Sequence, residues 1–142
     1  MCIKKFFGIS EEDSHYIINF IGIKIKLKNI FFDRLVHCCC IRNLDYLKKQ
    51  GTNFPHPVGI VIAKNAKIGK NCTIYQNVTI GAWNDKSPII GDDVVIYANS
   101  VIFGDVKIGD NAVVGAGSVV VDNVPKNAVV VGNPAKIIKY VK

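Results

Sequence analysis

The sequence predicts a mainly β chain wound as a parallel solenoid, and three observations predict it. An aliphatic residue recurs every six positions, at Ile62, Ile68, Ile74 and Ile80, then at Ile90, Ile96, Ile102, Ile108, Val114 and Val120. Four residues after these stands something small or aliphatic: Ala66, Cys72, Val78, Val94, Ser100, Val106, Ala112, Ser118 and Val124. Gly or Ala often follows the aliphatic position directly, as at Ala63, Gly69, Gly81, Gly91, Gly109 and Gly115. Neither the helical period of 3.6 nor the strand period of 2 gives such a beat. A chain that turns a corner every six residues does. Three faces then close one triangular coil, and stacked coils form the solenoid.

The elements follow in order. Ile23-Lys24-Ile25-Lys26-Leu27-Lys28 alternates strictly and predicts a half-exposed strand. Asn29 to Gln50 is apolar at roughly helical spacing (Phe31, Leu35, Cys38, Cys39, Leu44, Leu47), with Gly51 as the stop. Phe6, Phe7, Phe31 and Phe32 beside lysines suit either an interfacial membrane face or packing on the solenoid's first coil. The second reading is preferred, because terminal repeats need covering. Residues 1–54 are therefore expected to form a short mixed cap of strand plus helix, and residues 55–142 the solenoid with a closing segment.

Gly51 to Val61 leads in, and the solenoid proper is expected from about Ile62 to Val124. Between Ile80 and Ile90 the spacing is ten instead of six. The extra residues come from Ala82-Trp83-Asn84-Asp85-Lys86-Ser87-Pro88, so a small loop should protrude at one corner without disturbing the stack. Ile74 should still align with Ile96, and Ile96 with Val114. The Gly132-Asn133-Pro134 turn ends the coil and begins the closing segment.

Bulk properties exclude some functions. The chain has 142 residues, 49% of them hydrophobic, and a net charge of +7. That charge is spread, with +4 over residues 1–50 (nine Lys/Arg against five Asp/Glu) and +3 over the rest (nine against six). Arg occurs only at Arg34 and Arg42, which argues against nucleic acid as a partner. Five Cys, three of them consecutive, do not make a disulfide framework, and no metal-ligand spacing is present. Reduced buried thiols in a cytoplasmic protein are expected. The apolar runs are shorter than the roughly 20 residues of a membrane span.

The segments HPVGIVI (56–62), IGKNCTIYQNVTIGA (68–82), VGAGSVVVDNVP (114–125) and VGNPAKII (131–138) resemble the hexapeptide-repeat acyltransferases, most of all their serine acetyltransferase branch. The resemblance implies a left-handed parallel β-helix, here of three to four coils, and acetyl transfer from acetyl-CoA, as co-substrate, to a hydroxyl of a small acceptor. It implies no metal. The catalytic base of the family falls on His56, within Pro55-His56-Pro57-Val58-Gly59-Ile60-Val61-Ile62. From the residues alone, the six-residue phase run back from Ile62 also lands on position 56 and allows a buried plug there. His15 and His37 carry no matching motif.

The same resemblance places cofactor contacts at Gly81, Ala82, Ala98, Ala116 and Gly117, with Lys136 near the CoA phosphates. At Ala98, Ala116 and Lys136 an ordinary corner role is as well supported. Trp83 and Lys86 on the protruding loop are candidate acceptor or loop contacts. A homotrimer is implied, with active sites between subunits. Physics agrees, since a thin prism of coils about 4.8 Å tall is nearly all surface.

Two departures bear on the acceptor. Pro55 stands where the serine-specific members have Asp, and their upstream Asp-x-His-Pro motif is missing, with Ile41 near that spacing. Asp45 and Asp33 are the nearest substitutes. A short likeness of IINFIGIKIKLK (17–28) to leaders of surface-polysaccharide assembly proteins points to a sugar or polysaccharide-precursor hydroxyl. Serine is the alternative acceptor, and a non-catalytic scaffold the alternative of another class.

Overall fold

The computed structural model describes residues 9–12, 15–20, 23–28, 40–41 and 44–141. The chain divides into two compact units, residues 1–38 and 39–142. In the first unit, β1 (Ile9–Glu12), β2 (His15–Phe20) and β3 (Ile23–Lys28) form an antiparallel sheet in that order. β3 is the strand expected from the Lys-Ile alternation. Phe6, Phe7, Phe31, Phe32, Asp33, Arg34, His37, Cys38 and Cys39 lie outside the described residues.

The second unit is a solenoid of about four coils. Its strands are β4 (Cys40–Ile41), β5 (Val61–Ile62), β6 (Lys67–Ile68), β7 (Thr73–Ile74), β8 (Thr79–Gly81), β9 (Ile89–Ile90), β10 (Val95–Ile96), β11 (Val101–Phe103), β12 (Lys107–Ile108), β13 (Val113–Val114), β14 (Val119–Val120), β15 (Ala128–Gly132) and β16 (Ala135–Tyr140). They fall on three faces. Sheet I runs β4-β5-β8-β11-β14, sheet II runs β6-β9-β12, and sheet III runs β7-β10-β13-β15-β16. All neighbours are parallel except β15 and β16, which form the closing hairpin joined by the Gly132-Asn133-Pro134 turn.

The beat becomes an inward column on each face. Ile62, Ile80, Ile102 and Val120 stack in register on sheet I, and Ile74, Ile96, Val114 and Val130 on sheet III. Ile74, Ile80, Ile96 and Ile102 are fully buried. The residue four positions later also turns inward, because it lies two before the next aliphatic residue, across one pleat. Cys72, Val78, Val94 and Ala112 are accordingly fully buried. Each enclosed aliphatic side chain stabilises the fold by about 1.5–3 kcal/mol.

Corners need a residue in the left-handed region, and asparagine supplies most of them. Asn71, Asn77, Asp93, Asn99, Asn111 and Asn127 all have φ between 55° and 61°. A short polar side chain tolerates this conformation better than other non-glycine residues do. The protruding loop is a two-residue hairpin. Trp83 and Lys86 exchange backbone hydrogen bonds of 2.8 and 2.9 Å, and Asn84 and Asp85 both have positive φ, the pattern of a type I′ turn.

The start differs from expectation. The helix predicted over Asn29–Gln50 is confined, among the described residues, to α1 (Leu44–Lys49), and Cys40–Ile41 is a strand paired with Val61–Ile62. The solenoid ladder therefore begins upstream of Ile62. Ile41 is buried over Ile62 and so takes an inward strand position rather than a place on a helix face. Gly51 does stop α1: the amide of Thr52 donates to Leu47 O and that of Gly51 to Lys48 O, with Gly51 at φ 85°. This is a Schellman closure.

Candidate active site

The faces meet at ridges, and the ridges carry the candidate residues. One ridge joins sheet III to sheet I. It holds His56, which follows the bridge of Asn53 to Thr73 and precedes β5. It also holds Gln76-Asn77, Ala98-Asn99 and Ala116-Gly117. Its rungs are backbone hydrogen bonds: Asn77 N to Val58 O (2.8 Å), Asn99 N to Gln76 O (3.1 Å) and Gly117 N to Ala98 O (2.9 Å).

His56 is exposed on this ridge. The buried-plug reading is overturned, because Ile60, fully enclosed, fills the interior between His56 and Ile62. The amide of Val58 donates to His56 O at 2.8 Å and fixes the local turn. The imidazole contacts the Tyr75 ring, with centroids 6.4 Å apart and planes at 49°. Tyr75 stacks in turn on Tyr97 at 5.1 Å and 18°. Among the described residues, no carboxylate is hydrogen-bonded or ion-paired to the imidazole. Asp45 lies in the first turn of α1, and Asp33 lies outside the described residues.

Gly81, Ala82, Trp83 and Lys86 sit on a different ridge, where sheet I runs into sheet II. One whole face separates them from His56 on the same chain. Trp83 is 60% exposed and packs against Phe103, with centroids 5.4 Å apart. Lys86 Nζ meets Asp105 Oδ2 at 2.7 Å. Their hydrogen bond pushes the lysine pKa up and the aspartate pKa down. Lys136 lies opposite Val131 in the closing hairpin, exposed, with its Nζ 3.9 Å from Asp122 Oδ2.

The structure thus brings His56, Ala98, Ala116 and Gly117 together and leaves Gly81, Ala82, Trp83 and Lys86 apart from them. Tyr75 and Tyr97 are neighbours of His56 that sequence reasoning missed. Their signal was legible: each directly follows a beat residue, where Gly or Ala usually stands. A cleft of about 310 Å³ lies beside α1, lined by Tyr46, Leu47, Ile62, Ala63, Lys64, Ala66, Lys67 and Ile68, and holds none of the candidates. Among the described residues, no three His, Cys, Asp or Glu side chains converge, and no helix is long and apolar enough to cross a membrane.

Sequence and fold are both similar to those of known proteins. The family described as "Bacterial transferase hexapeptide (six repeats)" matches residues 87–122. A serine acetyltransferase of Synechococcus elongatus is 40% identical over 93 residues, covering 63% of this chain and 38% of that protein. The crystal structure of the Neisseria gonorrhoeae serine acetyltransferase superposes with a TM-score of 0.62 at 43% identity, covering 65% of this chain and 37% of that one. Residues 87–122 thus match the hexapeptide repeat, and nearly two thirds of the chain is similar to serine acetyltransferases. A serine acetyltransferase solved in complex with CoA superposes at 0.59 with 37% identity, covering 61% of this chain and 37% of that one.

The fold is the left-handed parallel β-helix expected of the hexapeptide repeat. The chain spans well under half the length of these relatives. The preferred sugar acceptor finds no support in these relatives, and the serine alternative fits them better.

Proposed function

We propose that this chain is an acyltransferase that moves an acetyl group from acetyl-CoA to a hydroxyl, with serine as the acceptor. The observation that carries this reading is the 40% identity to a serine acetyltransferase over 93 residues. A CoA complex among the similar structures supports acetyl-CoA as donor.

The chemistry is a direct transfer. His56 takes the acceptor hydroxyl proton as the oxygen attacks the thioester carbonyl. Backbone N–H groups hold the tetrahedral oxyanion. The carbon–sulfur bond then breaks, and the imidazolium returns the proton to the departing CoA thiolate. A thiol with an ordinary pKa near 8.5 leaves readily. Ala98, Ala116 and Gly117 share the His56 ridge and present small side chains along which a pantetheine arm can lie. Gly81 and Ala82 border the second ridge, and Lys136 supplies a cation for CoA phosphate.

The separation of the two ridges supports a site shared between copies. His56 of one chain facing the Gly81–Lys86 ridge of another restores the arrangement, and three copies close the ring. An active monomer by light scattering contradicts this part of the reading.

A neutral acceptor such as a sugar hydroxyl is the second reading. One observation favours it: the His56 imidazole meets Tyr75, which stacks on Tyr97, an aromatic surface of the kind on which a sugar ring can pack. Thiol release from acetyl-CoA with L-serine, and with a panel of free and nucleotide sugars, decides between the two. The His56→Ala chain should lose roughly a hundredfold or more of the turnover. Full activity in that variant refutes the mechanism.

A further inference from the structure

We infer that Tyr75, braced by Tyr97, is a positioning residue that sets the orientation of the His56 imidazole. The inference rests on the acetyltransferase reading for its activity readout only; its geometry stands without it. The backbone of His56 is fixed by the Val58 amide at 2.8 Å, and Val58 O is tied in turn to Asn77 N at 2.8 Å. Its ring is exposed and has no hydrogen-bonded partner among the described residues, so backbone anchoring leaves the imidazole free to rotate. The Tyr75 ring is what it meets.

Tyr75 is itself held from three sides. It follows Ile74, which is fully buried, so its Cα has no freedom. Its amide donates to Ile96 O at 3.0 Å. Tyr97 follows Ile96 in the same way, and the parallel register of Ile74 with Ile96 stacks the two rings one strand apart. Tyr97 is anchored below: its amide donates to Val114 O at 2.9 Å, and its carbonyl accepts from the Ser100 hydroxyl at 2.6 Å.

The coil does not require this column. At the same place after the beat residue stand Ala63, Gly69, Gly81, Gly91, Gly109 and Gly115, and Phe103 and Val121 only where sheet I runs into sheet II. Two large rings occupy it on the His56 edge, where a carboxylate that could orient the imidazole is missing among the described residues. An aromatic ring tilted at 49° to the imidazole, and braced from behind by a second ring, excludes the rotamers that would swing the imidazole across it. Orientation of a general base matters, because a misplacement of about 1 Å costs on the order of a hundredfold in rate.

The test uses the full chain in its native assembly, with Tyr75→Leu, Tyr75→Phe and Tyr97→Leu. Imidazole proton resonances are recorded on histidine-labelled protein, and His56 is assigned by its absence in His56→Gln. Tyr75→Leu should shift the His56 resonances and lower kcat about tenfold to a hundredfold, with KM for acetyl-CoA within about twofold. Tyr75→Phe should rescue both, since the ring and not the hydroxyl does the positioning. Tyr97→Leu should give a smaller change of the same kind. His56 resonances unmoved in Tyr75→Leu overturn the proposal, as does a loss of activity matched by loss of folded protein. If the wild type turns over no acceptor, the resonances still decide the positioning role, and only the acetyltransferase reading fails.

Discussion

Ile96 sits between Ile74 and Val114 in unbroken parallel register, although the chain between Ile80 and Ile90 carries four residues beyond the six-residue beat. The hairpin closed by Trp83 and Lys86 absorbs the surplus outside the prism. Pro88, fully buried, takes the second inward position of that hexapeptide. The inserted residues therefore contribute nothing to the core. Deleting Trp83–Lys86 restores the spacing of six and should leave a cooperative melt within about 5 °C of the wild type. Circular dichroism reads this directly, and loss of cooperative unfolding shows that the hairpin is part of the folding unit. Acetyl transfer by the same variant reports whether Trp83 and Lys86 face a ligand.

The closure of α1 makes a second expectation. Gly51 holds φ 85°, and a Cβ there would lie 2.6 Å from Asn71 Oδ1. Gly51→Ala should cost about 1–3 kcal/mol, measured by urea denaturation. The clash is with the end of a flexible side chain, so the backbone part should dominate. Gly51→Ala combined with Asn71→Ala should recover only a fraction of the loss. Full recovery in the double variant places the cost in the contact instead.

How far the sequence could be read follows from which features repeat locally. The inward columns were legible because Ile74 and Val78 recur at fixed offsets through every coil. The expected helix from Asn29 misread Cys40–Ile41, since a two-residue strand inside an apolar run has no period of its own. The asparagine corners were missed, although Asn71, Asn77, Asn99 and Asn111 each stand three residues after a beat residue. Tyr75 and Tyr97 each break the Gly/Ala pattern after a beat residue, but their stacking joins residues a full coil apart and shows only once the coils are laid in register. The split of His56 and Gly81 onto separate ridges depends on counting corners through the hairpin, which periodicity alone does not assign to edges.

Cys72 is fully enclosed, with its Sγ 3.2 Å from Gly91 O. Burial pushes its pKa up, helped by the charges of Asp92, Asp93 and Asp110 and partly opposed by a backbone hydrogen bond at Val94. A protonated thiol without access is a poor nucleophile. Iodoacetamide at pH 8 should leave Cys72 unmodified in the native protein and modify it fully in denaturant, read by peptide mass mapping. Rapid native labelling requires that the coil around Cys72 open far more often than a packed solenoid allows.

The Lys86–Asp105 pair gives a prediction with two ends. The folded aspartate has its pKa lowered, so its contribution is present above the unfolded value near 3.9 and is lost as pH falls through the lower folded value. The folded lysine has its pKa raised, so its contribution is present below the unfolded value near 10.4 and fades as pH rises through the folded one. The stability difference between wild type and Lys86→Met should therefore be flat through neutral pH and shrink at both extremes. Both side chains are largely exposed, at 65% and 59%, so the plateau should be small and should diminish with added salt. Thermal melts across pH at two salt concentrations measure it. A difference that persists at pH 2 assigns the effect to the packing of the lysine stem against the hairpin rather than to its charge.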